Sequence, residues 1–138
     1  MPTMDLNAKA VWTPRLLALF RVVFALLFFA HGLAKMTGFP TGAQPGQVAI
    51  LSLFGAAGVF EFIGGAFLVV GLFTRPVAIL LSGEMAVGYF LVHAPQGFFP
   101  SLNGGELAIL YCFAFLYLGI AGAGAWSIDA ARTRALPS

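Results

Sequence analysis

Apolar residues run along this chain in four long blocks, separated by short breaks rich in polar residues, glycine and proline. A helix needs about 20 mainly apolar residues to cross a bilayer. The pattern predicts four such spans, at about 14–35, 52–73, 76–93 and 104–122. Their ends carry local signals. Thr13-Pro14 reads as an N-cap followed by proline at the first helical position, and Thr74-Arg75-Pro76 repeats that arrangement before the third span. Asn103 with Glu106 three residues later resembles a capping box at the start of the fourth. The breaks fall at Thr37–Gln47 and at Ala94–Leu102, the latter containing Pro95, Gly97 and Pro100. Pro45 is placed to start the second helix ahead of the membrane, and Ser127 to cap a short helix, Ile128–Arg134, lying along the surface.

Composition agrees with lipid as the solvent. Of 138 residues, 60% are apolar and only 9% charged, too little polar surface to cover a water-soluble core of this size. The mean hydropathy is +0.95. The chain reads as a single all-α domain over residues 1–138, an integral membrane four-helix bundle. The block from Leu16 to Ala34 reads as a retained span, because it is long, Arg21 interrupts it, and no A-x-A-type cleavage site follows. Lys9, Arg15, Arg75, Arg132 and Arg134 fall on one side of four spans, with Lys35 alone on the other. The positive-inside rule then puts both termini in the cytoplasm, with Trp12 and Trp126 as interfacial anchors. A net charge of +2 from scattered basic residues leaves no nucleic-acid footprint. The single cysteine, Cys112, excludes an intramolecular disulfide and dithiol redox chemistry within one chain.

Three charged residues lie inside spans: Arg21, Glu61 and Glu84. Each costs roughly 2.5–3.5 kcal/mol at mid-span on insertion scales, so each needs a partner, a proton or a wet cavity. Counted from the cytoplasmic ends at about 1.5 Å per residue, Arg21 lies ~10 Å deep, Glu84 ~12 Å and Glu61 ~17 Å. That predicts an Arg21–Glu84 ion pair which Glu61 completes as a triad, a candidate site for proton or quinone-headgroup chemistry. One arginine cannot neutralise two carboxylates, so one glutamate is expected to carry a proton near neutral pH. The one-turn neighbours of Glu61 include Ala57, Gly58, Gly64 and Gly65, and small residues let helices approach closely. Arg21, Ala25, Phe28 and Gly32, with Lys35 near their line, form a stripe on the first span. These two faces are predicted to point inward. The plainer alternative is a buried ion pair that only sets helix register.

A second polar group, His31, Lys35, His93, Asn103 and Glu106, maps to the outer ends of the first, third and fourth spans. It is a candidate cofactor-binding set. Two histidines and a carboxylate are donors for a metal, and two histidines for a haem. No pair has ligand spacing on one helix, so the reading is against both. The capping box explains Glu106 without function, and Lys35 is able to snorkel to headgroups. Tyr117 shares the Glu106 face deep in the span, and Cys112 reads as a small apolar filler.

Several runs, in order, carry a family resemblance. They are His31-Gly32-Leu33-Ala34-Lys35, Phe60-Glu61-Phe62-Ile63-Gly64-Gly65 and Gly71-Leu72-Phe73-Thr74-Arg75-Pro76. Then come Gly83-Glu84-Met85-Ala86, the run His93–Pro100, Asn103-Gly104-Gly105-Glu106-Leu107 and the tail Gly122–Asp129. From about Arg21 to Asp129 the chain resembles the DoxX family of small bacterial membrane proteins. The resemblance implies a four-helix bundle in the bacterial inner membrane and a link to quinone-coupled redox reactions, including a subunit of a thiosulfate:quinone oxidoreductase. It extends distantly to the membrane proteins of methylamine utilisation, and it assigns no catalytic residue. The expectation is a membrane subunit of a quinone-linked redox system, working as a homo-oligomer or with a soluble redox partner. A small oligomeric transporter and a structural scaffold for a partner complex stay open as alternatives.

Overall fold

The computed structural model describes residues 5–135. The described chain is helical, without strands. Helix α1 is Leu6–Thr37, α2 is Leu53–Val70 and α3 is Thr74–Gly88. A π-helical turn, Tyr89–His93, and a 3-10 turn, Ala94–Gln96, extend α3. A four-residue helix α4, Pro100–Asn103, precedes α5, Glu106–Ala121, and α6 is Ile128–Ala135. Three helical stretches, α1, α2 and Thr74–Gln96, are long and apolar enough to cross a membrane. Helix α5 is apolar but has 16 residues, about 24 Å at 1.5 Å per residue. The surface suits only hydrocarbon: Leu27, Phe113 and Ile120 are more than half exposed, and apolar exposure on that scale has no place in water.

Two of the predicted helix starts move. Helix α1 begins two turns before Pro14, which lies inside it, so Thr13-Pro14 is not the N-terminal cap. Pro45 does not start α2. Residues 38–52 fold back as a loop, with the Val48 amide donating to the Lys35 carbonyl at 3.0 Å. Helix α2 opens at Ser52, whose hydroxyl accepts from the Gly55 amide. The predicted final helix is present, and Ser127 caps it by accepting from the Ala130 amide at 3.0 Å.

The buried residues of α1 are Ala18, Arg21, Ala25, Phe28, Gly32, Ala34 and Lys35, the predicted stripe with two additions. Helix α2 buries Gly55, Gly58, Glu61, Gly65 and Leu68. These glycines bring the two backbones together. A side chain at Gly32 would meet the Phe62 Cα at 2.8 Å, and one at Gly65 the Phe29 Cα at 2.9 Å. Helix α3 pairs in the same way with α5, where Ser82 donates to the Cys112 carbonyl at 2.7 Å. Between the pairs α1/α2 and α3/α5, helices α2 and α3 meet at the Gly71–Phe73 corner and again where Gly64 faces Leu81, about two turns from it.

The tail ties down that corner. The Asp129 carboxylate accepts from the Phe73 and Thr74 amides at 2.9 and 2.8 Å, and the Asp129 amide donates to the Gly71 carbonyl. Asp129, and not a local side chain, therefore caps α3. Burial alone would raise its carboxyl above the ordinary 3.8, but the two amides, the nearby Thr74 hydroxyl and the Arg132 charge outweigh it and hold it lower. A depressed carboxylate contributes stability that is complete above the ordinary value and lost as pH falls through the folded one. Asp129→Ala is expected to cost about 1 kcal/mol, the usual worth of a cap, and to flatten stability against pH below about 4. Thermal unfolding in detergent across that range checks both; an unchanged profile in the variant rules the cap out as the cause.

Candidate functional site

A cavity of about 1100 Å³ lies between α2 and α3, backed by α1 and α5. It is slightly larger than the usual range for small-molecule sites, which ends at about 1,000 Å³. Its walls are mostly apolar, from residues such as Phe54, Phe60, Leu80 and Leu91, which also face the lipid side. Gln44 and Pro45, from the loop after α1, contribute to the lining. Besides Gln44, six polar side chains line the space: His31 and Lys35 of α1, Glu61 of α2, Glu84 of α3, His93 of the π turn and Tyr111 of α5.

Lys35 Nζ donates to Glu61 Oε1 at 2.6 Å, the one salt bridge among the described residues. Glu61 is on the glycine face of α2, and Gly58 lets the Lys35 stem lie flat against that helix. Glu61 Oε2 and both carboxyl oxygens of Glu84 are buried with no hydrogen-bond partner. His93 Nδ1 lies 3.1 Å from the Asn103 carbonyl, which holds its ring. The buried Asn103 side chain in turn donates to the Gly97 carbonyl at 2.9 Å and to the Tyr89 hydroxyl at 3.3 Å. The His31 ring lies edge-on to Tyr111, 6.0 Å between centroids. A π turn adds a residue to the helical ladder and is frequent at functional positions; here it carries His93.

The structure therefore redistributes the two predicted clusters. Glu61 and Glu84 join His31, Lys35 and His93 in one cavity. Arg21 does not join them. It is fully buried midway along α1, well below Lys35, donating to the Ala123 carbonyl and, at 3.0 Å, to the Trp126 carbonyl. The predicted Arg21–Glu84 pair and its triad are not formed. The reason is a shift in register. The predicted depths set Pro14 level with the α2–α3 corner, but that corner lies beside Arg21, whose guanidinium is packed against Gly71. The seven residues from Pro14 to Arg21 make an offset of about 10 Å. Lys35, rather than Arg21, is thereby brought to Glu61.

Asn103 supports His93 from behind and does not line the cavity. The Asn103–Glu106 capping box is absent. Asn103 Oδ1 accepts from the Gly105 amide, Gly105 is the α5 N-cap, and Glu106 is exposed outside the cavity. Tyr111 was missing from the predicted set, and Tyr117 is 55% exposed on the lipid side. Helix α5 is apolar all round, so its sequence does not mark which face turns inward. The Tyr111, Phe115 and Leu118 spacing was the one available signal. Among the described residues, no three His, Cys, Asp or Glu side chains are grouped to hold a metal ion.

The sequence model of the DoxX family matches residues 16–94. The chain belongs to the DoxX family. The matched region holds every polar side chain of the cavity except Tyr111. This DoxX chain is 44% identical over 128 residues to an uncharacterized protein of Haemophilus influenzae, covering 90% of the chain and 96% of that relative. It is 30% identical over 130 residues to the inner membrane protein YphA of Escherichia coli, covering 84% of the chain and 89% of YphA. No solved structure matches it significantly. Family, relatives and apolar helices together make this DoxX chain a multi-pass protein of the bacterial inner membrane, in direct contact with lipid.

Proposed function

We propose that this protein is the membrane-embedded subunit of a quinone-linked redox system and works with a separate redox partner. One observation carries the reading: a cavity with lipid-facing apolar walls and buried carboxyl groups that lack a protein partner. A quinone fits that combination, because its ring and tail are apolar and its oxygens need polar contacts. When bound, it supplies a carrier of two electrons and two protons. The protein's part is to bind, orient and exchange protons. Lys35, fixed by Glu61, keeps N–H groups free to hold a ligand oxygen, and His31 stands on the same helix face one turn away. Glu84 takes up or releases a proton at its unpartnered carboxyl. Electrons come from the partner, since a single cysteine offers no dithiol.

In this reading α5 crosses the membrane as a fourth span. Both termini are then cytoplasmic, with the basic residues other than Lys35 gathered at that side. The cavity lies toward the opposite leaflet.

The test starts from protein purified in mild detergent, with bound lipids extracted and identified by mass spectrometry. Near-equimolar quinone is expected. Gly83 faces the cavity, and a side chain there meets nothing within 4 Å. Gly83→Leu is therefore expected to empty the cavity of quinone while holding or raising thermal stability, since glycine inside a helix costs about 1 kcal/mol. Absence of quinone from the wild type, with substrate flux in quinone-free vesicles, would replace this reading by the transporter. An undiminished quinone content in Gly83→Leu would place the ligand elsewhere.

A further inference from the structure

We infer that the cavity selects the reduced, dihydroxy form of its ligand over the quinone, an inference that rests on the quinone reading above. The argument is an inventory of donors and acceptors. Three carboxyl oxygens, Glu61 Oε2 and both of Glu84, are buried and receive no hydrogen bond. A buried acceptor without a donor keeps its full desolvation penalty. The Lys35 ammonium is committed on one side to Glu61 Oε1 and makes no hydrogen bond to Glu84. Formal charge shows the same imbalance, with two carboxyl groups against one ammonium.

A quinone carbonyl only accepts hydrogen bonds. It can take one from Lys35 or Tyr111, but it leaves Glu84 without a donor. A quinol hydroxyl does both, accepting from the cationic side of the cavity and donating to Glu84. That preference belongs to the ionised Glu84, because a protonated carboxyl donates its own O–H to a quinone carbonyl, so the titration is run at alkaline pH. The chemical class is a membrane-soluble hydroquinone, a para-dihydroxy ring on an apolar tail.

The experiment is anaerobic titration calorimetry on the full chain in nanodiscs of quinone-free lipid. The probes are a decyl-chain benzoquinol and the matching benzoquinone. A hydrogen bond to a charged group predicts about tenfold tighter binding of the quinol by the wild type. Glu84→Gln, whose amide donates as well as accepts, is expected to bring the two affinities within about threefold. Equal or tighter binding of the benzoquinone by the wild type overturns the inference and leaves the quinone reading standing. So does a quinol preference that survives in Glu84→Gln. Failure of both probes to bind removes the quinone reading and the inference with it. The wild-type ratio decides the matter even if the variant does not fold.

Discussion

Lys35→Met is expected to destabilise the protein by about 3–5 kcal/mol, the cost of leaving a buried charge without its partner. Lys35 is 8% exposed and Glu61 3%, and their 2.6 Å contact is the one hydrogen bond of the Glu61 side chain. Methionine keeps most of the lysine stem against Gly58 but leaves a carboxylate among apolar atoms. The double variant Lys35→Met/Glu61→Met should recover most of the loss, because removing both charges also removes their desolvation. Detergent-denaturant unfolding, followed by helical circular dichroism, gives the three free energies of the cycle. A single-variant cost under about 1 kcal/mol would show instead that water solvates the pair, as at an exposed surface. The cycle also separates role from stability. A double variant that is stable but holds no quinone assigns the pair to ligand binding, and one that is stable and still loaded assigns it to helix register.

Gly32→Val should be nearly as damaging, at about 3 kcal/mol, for a steric reason. The new side chain would begin 2.8 Å from the Glu61 carbonyl carbon and the Phe62 Cα. Both are main-chain atoms of α2, so relief requires the helices to separate. Separation also strips the contact at Gly65 and draws Lys35 away from Glu61. Gly64→Ala offers the control. Its neighbours are side-chain carbons of the buried Leu81 and no main-chain atom, so the helices need not part and a cost of about 1 kcal/mol is expected. Comparable losses at the two positions, in the same unfolding assay, would refute the close-approach account.

Much of the fold was legible because lipid demands long apolar segments and penalises each charge inside them. The stripe through Arg21, Phe28 and Lys35 was visible from spacing alone, as was the glycine face around Glu61. Tyr111 was not, because α5 has no polar face to contrast with an apolar one. The Asp129 cap was equally hidden, since it joins positions 55 residues apart.

The solvent, the run of apolar helices and the residues that must avoid lipid are written in the amino-acid order, because hydropathy and helical periodicity act within one segment at a time. Which buried charges meet is settled by packing between segments. Arg21, Lys35, Glu61 and Glu84 are all costly in hydrocarbon, but partner choice depends on how far one helix slides along another. That offset is set by glycine contacts such as Gly32 on Phe62 and by the Gly71 corner beside Arg21, and it brings Lys35 and not Arg21 level with Glu61. The cavity has the same origin: α2 and α3 are pinned together at one end by a short corner and the Asp129 cap, while each packs tightly against a different neighbour.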